Sequence, residues 1–416
     1  MTTLRRFRVS GFKSLDDVDL ALPQVALFVG PNAVGKSNLL DAVQLLSRIA
    51  TERTLQAAFD GPIRGRTHEA FSMPAGGTSE LLATPTAEMS LGADLVVAGN
   101  RTVRYDVTVQ LEPRSGRLTV TNECLQELNT RSEPKNSARI ELDSEKGMLL
   151  TRHVGSPGRP SEIPVGQNYS LLSDERISGS RFPLIEATRT AFRNWRTYYL
   201  DPIGAMRSPA GPREVNDIGP SGEDLAPLLN ILQEKDPRRF KAITAAVRQV
   251  IPSVKSIEVK FDSTTGDLDV EITQRGRTFS TRVISEGTLR VLALTSIAAT
   301  SNANTVIALE EPENGVHVAR LERIAAVFAG LATRPRAPQL LLTTHSPAFT
   351  AELLGLSRNT DAELGLFGTS MQDGATQFVR ISDPGLYADE VVYDLTDEQR
   401  ETIALSEAMR RGWLDG

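Results

Sequence analysis

Val25-Ala26-Leu27-Phe28-Val29 is apolar at every position, the pattern of a strand covered on both faces of a parallel sheet. After the loop Gly30–Lys36, apolar residues recur at Leu39, Leu40, Val43, Leu46 and Ile49. That spacing predicts a helix over Ser37–Ile49. Short strands at Leu4–Val9 and Val18–Leu22, separated by a turn at Gly11, precede this unit. From Arg53 to Thr86 the chain is rich in Gly, Pro and Thr, which predicts an irregular surface excursion. Between Glu88 and about Val154 the period changes to two. Val103, Tyr105, Val107 and Val109 alternate with polar residues, Arg117–Val120 is a second such stretch, and turn signals at Gly99-Asn100 and Arg114-Ser115-Gly116 separate them. This predicts an antiparallel β lobe that closes at the breaker cluster Gly155-Ser156-Pro157-Gly158.

Tyr169–Val250 reads as mainly helical, interrupted by the Pro/Gly-rich stretch Asp201–Pro220. Strands return at Val254–Phe261, Asp267–Thr273 and Thr278–Val283. Helix and strand then alternate over Leu289–Ala299, Val306–Leu309, Val318–Leu331 and Leu340–Thr343, the mark of α/β architecture with a mostly parallel core sheet. Closing strands at Leu364–Phe367 and Thr376–Ile381 and an amphipathic helix around Thr396–Arg410 complete the reading. The expected organisation is a core divided between residues 1–50 and 251–355, with the excursion and β lobe at 51–155, a helical insert at 156–250, and closing elements at 356–416.

Composition narrows the function classes. The 416 residues are 40% hydrophobic and 24% charged, an ordinary globular balance. The net charge of −6 gives no global field for nucleic acid or anionic membrane, although a local basic groove is compatible with it. No apolar run approaches the ~20 residues that span a bilayer, and Met1–Val9 lacks the apolar stretch of a signal peptide. A cytoplasmic protein without membrane partners is expected. Cys124, the single cysteine, has no internal disulfide partner and reads as a small hydrophobe or loop spectator rather than a nucleophile.

Four motifs carry chemistry. Gly30-Pro31-Asn32-Ala33-Val34-Gly35-Lys36-Ser37 matches G-x-x-x-x-G-K-[ST] between an apolar strand and a helix. In such a loop backbone N–H groups and the helix N-terminus cradle phosphate, Lys36 reaches the β- and γ-phosphates, and the Ser37 hydroxyl completes a Mg²⁺ shell. Val306-Ile307-Ala308-Leu309 ends in paired carboxylates, Glu310 for the metal and Glu311 to polarise the attacking water. Leu340-Leu341-Leu342-Thr343-Thr344 delivers His345 at the strand's C-terminal end, where open α/β sheets bind ligands. Ser285-Glu286-Gly287-Thr288 opens the next helix; helix capping by Ser285 and anion binding are both open to it.

The ordered series GPNAVGKS, ISEGT, LEEPEN and TTHSP resembles the Walker A, signature, Walker B and H-loop motifs of ABC-type P-loop ATPase heads of the RecF, SMC and OLD (overcoming lysogenization defect) group. Gly11-Phe12-Lys13-Ser14 and Asn38 are similar to the same group, and the double glutamate before Pro312-Glu313-Asn314 is closer to the OLD form. The resemblance implies ATP and Mg²⁺ as ligands, with Ser285 and Gly287 contacting the γ-phosphate held by the P-loop of a second copy in a head-to-tail homodimer. It puts Asn314–His317 at the dimer seam and Lys13 close to the nucleotide. A Q-loop glutamine is not evident, Gln56 and Gln110 being candidates without supporting context. The coiled coil of SMC proteins is missing. Beyond Pro347 the chain is short for the Toprim nuclease domain of OLD proteins, and Asp383, Asp389, Glu390 and Asp394 read as solvated surface.

The resemblance implies an ATPase that regulates a separate effector protein, a nuclease among the options, in bacterial antiphage defence. The alternative is a RecF-like, DNA-binding repair ATPase, with Arg189–Arg196 as a candidate contact stretch. A transporter subunit is disfavoured by the missing Q-loop and the Glu-Glu pair.

Overall fold

The apolar run at Val25–Val29 is the centre of a six-stranded sheet whose two faces organise the rest of the chain. The computed structural model describes residues 3–61, 64–135, 138–143, 145–152, 160–303, 305–335, 337–357 and 363–381. The chain opens with a hairpin of β1 (Thr3–Ser10) and β2 (Val18–Ala21), enters the core as β3 (Val25–Val29), and passes through the glycine loop into α1 (Lys36–Ile49). The excursion carries two short helices, α2 (Leu55–Phe59) and α3 (Gly77–Ala83). Six strands follow: β4 (Ala87–Val97), β5 (Arg101–Glu112), β6 (Arg117–Leu128), β7 (Ile140–Asp143), β8 (Met148–Thr151) and β9 (Ser161–Pro164). Then come α4 (Pro183–Arg193), β10 (Trp195–Tyr198), α5 (Leu225–Lys235), α6 (Pro237–Val250), β11 (Val254–Phe261), β12 (Leu268–Gln274) and β13 (Arg277–Ser280). The last part alternates α7 (Glu286–Thr300), β14 (Val306–Glu310), α8 (Leu321–Ala332), β15 (Gln339–Thr344) and α9 (Pro347–Ser357), and ends in the hairpin β16 (Leu364–Gln372) and β17 (Ala375–Arg380).

The core sheet has the order β10-β14-β15-β3-β16-β17, with every neighbouring pair parallel except the closing hairpin. Side chains alternate across it with period two. Ala26, Phe28, Val306, Ala308 and Leu341 point into one core with α1, α4 and the antiparallel sheet. Val25, Leu27, Val29, Ile307, Leu309, Leu340 and Leu342 point into a second core with α5 to α9 and the β11-β12-β13 sheet. Two-sided burial is why these strands contain almost no polar residue before their last positions. β5 is covered on one face only, and its strict alternation of buried and partly buried residues follows. Local chemistry sets the helix ends: α6 starts where the Asp236 carboxylate accepts from the Arg239 N–H, with Pro237 in the first turn.

Three departures from the sequence reading have physical reasons. The first hairpin belongs to the antiparallel sheet, order β2-β1-β4-β5-β6-β7-β8-β9, because β1 pairs with β4 over nearly its whole length. The stretch expected to be helical contains β10, an edge strand held by parallel pairing with β14. Arg189 is no external contact: it is 1% exposed, and its guanidinium donates to the carbonyls of Leu172, Asp174 and Ile177. The breaker cluster Gly155–Gly158, the acidic residues Asp383, Asp389, Glu390 and Asp394 and the helix around Thr396–Arg410 lie outside the described residues.

One side chain joins the two sheets. Gln339, at the start of β15 and 2% exposed, accepts from the Leu4 N–H at 2.7 Å and donates to the carbonyls of Leu4 at 2.7 Å and Pro23 at 2.8 Å. Gln339→Leu keeps the volume but strands three buried backbone groups, so it is expected to cost about 2–4 kcal/mol. Denaturant unfolding checks this; an unchanged midpoint would show the sheets are joined by packing alone.

Candidate nucleotide site

The carboxyl ends of β3, β14 and β15 lie side by side, so the loops leaving them converge. β3 delivers the glycine loop. Gly35 has φ 97°, in the left-handed region, and a Cβ there would collide with the Thr376 hydroxyl, so only glycine fits. Lys36 is 5% exposed and its ammonium donates to the carbonyls of Gly30 and Pro31, each at 2.6 Å. Burial pushes its pKa down, against the pull of Glu311, Glu310 and Glu313. Within the same loop Val34 is buried, whereas Asn32 and Ala33 are exposed at its rim.

β14 ends at Glu310, whose carboxylate accepts from the Ser37 hydroxyl and thereby joins the glycine loop to the second motif. Glu311 turns away with φ 42°, still tied to β15 by its N–H to the Thr343 carbonyl at 3.0 Å. β15 ends at Thr344, and the next residue, His345, places Nδ1 2.9 Å from Glu311 Oε1. Glu313, 6% exposed, takes a hydrogen bond from the Thr344 hydroxyl, and the Ser346 N–H donates to that same hydroxyl at 2.9 Å. Burial raises the Glu313 pKa. The carboxyl therefore pins the turn that carries His345.

Ser285 occupies the N-cap position of α7, but its hydroxyl pairs with the Thr288 hydroxyl at 2.9 Å and caps no backbone N–H. Simple capping does not describe it. Gly287 packs on backbone: a Cβ there would lie 2.6 Å from the Gly315 carbonyl. Among the described residues no hydrogen bond or ion pair joins Ser285 or Gly287 to the glycine loop of the same chain. Asn38 donates to the Ser14 hydroxyl at 2.8 Å. Gln56 pairs with Asp60 and Gln110 with Glu88, both on exposed surface away from these motifs.

Four residues enter that the motif reading missed or only brushed. Asp41, on α1 and 0% exposed, is met by Lys13 Nζ at 2.5 Å, the Tyr199 hydroxyl at 2.6 Å and Arg64 at 3.4 Å. Arg64 also reaches Glu310 at 3.3 Å and lies over the Tyr199 ring at 5.2 Å. Burial would lower the Arg64 pKa, but Asp41 and Glu310 outweigh it and raise it. The available signal was Asp41 itself, a lone acid inside the apolar spacing of α1. Cys124, on β6, has its thiol pushed up to about 11 by burial, which leaves it unreactive.

The family described as "AAA domain, putative AbiEii toxin, Type IV TA system" matches residues 25–351, which include all four motifs. The chain belongs to this family. The matched segment is an AAA domain, and its glycine loop Gly30–Ser37 is that of a P-loop ATPase. It is 33% identical over 104 residues to the DNA replication and repair protein RecF of Erwinia tasmaniensis, a match covering 25% of this chain and 27% of that protein. Among solved structures it is similar to the SMC head domain of Thermotoga maritima, at 13% identity and a TM-score of 0.41, over 91% of this chain and 99% of that one. The Smc head domain with coiled coil and joint derived from Pyrococcus yayanosii gives 11% identity and a TM-score of 0.48, over 98% and 100%. Among the described residues no helix is long and apolar enough to cross a membrane.

Proposed function

We propose that this AAA-domain protein binds MgATP between two copies of itself, hydrolyses it, and uses the cycle to regulate a separate effector protein in the cytoplasm. The carrying observation is the convergence of Lys36, the Ser37–Glu310 pair and the Glu311–His345 pair on the carboxyl edge of three adjacent parallel strands. In this reading the N–H groups of Gly30–Ser37 and the N-terminus of α1 hold the phosphates and Lys36 neutralises them. Ser37 and Glu310, a hydroxyl and a carboxylate already in contact, are the hard oxygen donors that suit magnesium, which when bound draws charge off the phosphates. Glu311 takes the proton of the attacking water, and His345, held by Glu311 and by the Glu313–Thr344 turn, orients that water or the terminal phosphate.

Ser285 and Gly287 act in trans. An exposed serine at the start of α7 whose hydroxyl caps no backbone N–H supports this. Ser285→Arg is expected to retain ATP binding and lose both ATP-dependent dimerisation and hydrolysis. Mixed 1:1 with Lys36→Ala it should regain about a quarter of wild-type activity, since half the dimers then hold one complete site of two. Light scattering and phosphate release read both, and a mixture as inactive as its components would sink the composite site.

The Type IV TA system in the family description supports an effector on a separate chain, and antiphage defence is the setting we infer. Pull-down with and without ATP tests this; capture of no nucleotide-dependent partner would count against it. The RecF match favours a second reading, ATP-dependent DNA binding by the dimer, for which a steep salt dependence is expected.

A further inference from the structure

The closing hairpin meets the glycine loop at Gly30, beside Thr369, and at Val34, where the contact is a hydrogen-bond chain with a fixed direction. Thr376, at the start of β17 and 1% exposed, donates its hydroxyl to the Val34 carbonyl at 2.9 Å. Its proton is thus committed, so in the 2.6 Å contact between the Thr376 and Ser14 hydroxyls Ser14 is the donor. Ser14 in turn accepts from the Asn38 amide at 2.8 Å. The order is Asn38 to Ser14 to Thr376 to Val34, and it crosses α1, the turn after β1, β17 and the loop itself. The backbone repeats the tie, with the Thr376 N–H donating to the Ser14 carbonyl at 2.7 Å.

The target of the chain is what gives it a consequence. A trans peptide points the carbonyl of Val34 and the N–H of Gly35 in opposite directions within one plane. Holding the Val34 oxygen against β17 therefore turns the Gly35 N–H away from the hairpin, toward the interior of the loop, where phosphate-binding amides must point. Gly35 is in the left-handed region and has no Cβ to hold it there, so this peptide is the one most in need of an external brace. We infer that Thr376 is a positioning residue for nucleotide binding: its hydroxyl sets the orientation of the Val34–Gly35 peptide, and through it the affinity of the P-loop for the phosphates common to ATP and ADP.

This rests on the nucleotide reading above, and the two fail differently. The measurement is the affinity of the full-length protein for labelled ATP and ADP, with kcat at saturating ATP. Wild-type protein that binds neither nucleotide would overturn the nucleotide reading itself. Given wild-type binding, Thr376→Val, which keeps the shape and loses the donor, is expected to weaken ATP and ADP alike by about tenfold, the effect of one buried hydrogen bond, with kcat within about twofold. Thr376→Ser, which restores the donor, should bind within about twofold of wild type. A merely structural role would lower the active fraction and leave both dissociation constants in place. Thr376→Val binding as tightly as wild type, or Thr376→Ser as weak as Thr376→Val, overturns the inference. Should the valine variant not fold, Ser14→Ala decides: it removes the hydroxyl that donates to Thr376 Oγ1 and so keeps the Thr376 proton turned toward Val34, without changing a hairpin residue. A loss of about threefold for both nucleotides supports the brace, and unchanged affinity overturns it.

Discussion

Glu311→Gln is expected to bind ATP as tightly as the wild type while turnover falls by about 10²–10³-fold, the contribution of a positioned general base. The substitution is nearly isosteric, so its amide can keep a polar contact with His345 Nδ1, now 2.9 Å from the carboxylate. The residue is also anchored by its backbone: the N–H reaches the Thr343 carbonyl, and the left-handed φ of 42° is set by the turn rather than by the side chain. In the proposed reading the binding chemistry sits elsewhere, on Lys36 and the loop amides, and the Ser37–Glu310 pair is untouched. ATP should therefore be held and not cleaved, and the closed dimer should persist where the wild type opens. Nucleotide binding, phosphate release and light scattering on one preparation separate these outcomes. Hydrolysis at the wild-type rate would remove Glu311 as the base; loss of binding would make it a structural residue.

Which parts of this site were legible from sequence follows from the range of the forces that place them. The glycine loop is a local object: an apolar strand, a turn that needs glycine at Gly35, and a helix with one apolar face specify it within about twenty residues. Strands β14 and β15 were equally clear because burial on both faces leaves runs such as Leu340-Leu341-Leu342 with no polar interruption. β10 was not, since Trp195-Arg196-Thr197-Tyr198 is short and mixed, and becomes a strand only through its pairing with Val306–Leu309. Arg64 was invisible for a related reason. It stands in a Gly- and Pro-rich stretch with no period, and the partners that fix it, Asp41 and Glu310, are 23 and 246 residues away. Thr376 is an ordinary strand residue until the fold sets it 342 residues away, against Val34. Ser285 is a different case, for the local pattern left capping and anion binding both open and the side chain pairs with Thr288 rather than capping.

Lys36→Ala should lose about 10²-fold in ATP affinity and nothing in fold stability. The affinity follows from charge-assisted hydrogen bonds to phosphate, each worth about 1.5–3 kcal/mol, where 1.4 kcal/mol is a factor of ten. Stability follows from the sign of the Lys36 pKa shift. Burial lowers the Lys36 pKa below its ordinary value of 10.5, which means that the fold disfavours the charged amine relative to the unfolded chain. That cost is present in full below the lowered pKa and is relieved only as pH rises from it toward the ordinary value. Alanine removes the cost; of the two carbonyls released from Lys36, that of Pro31 lies toward the open rim and that of Gly30 is buried, which offsets part of the gain. The variant's thermal midpoint is accordingly expected at or above that of wild type without nucleotide, and ATP should raise the wild-type midpoint but not the variant's. A Lys36→Ala protein that melts well below wild type in the absence of nucleotide would make this lysine a structural cross-brace of its own loop. Loss of ATP binding alone would then say nothing about where the phosphates sit.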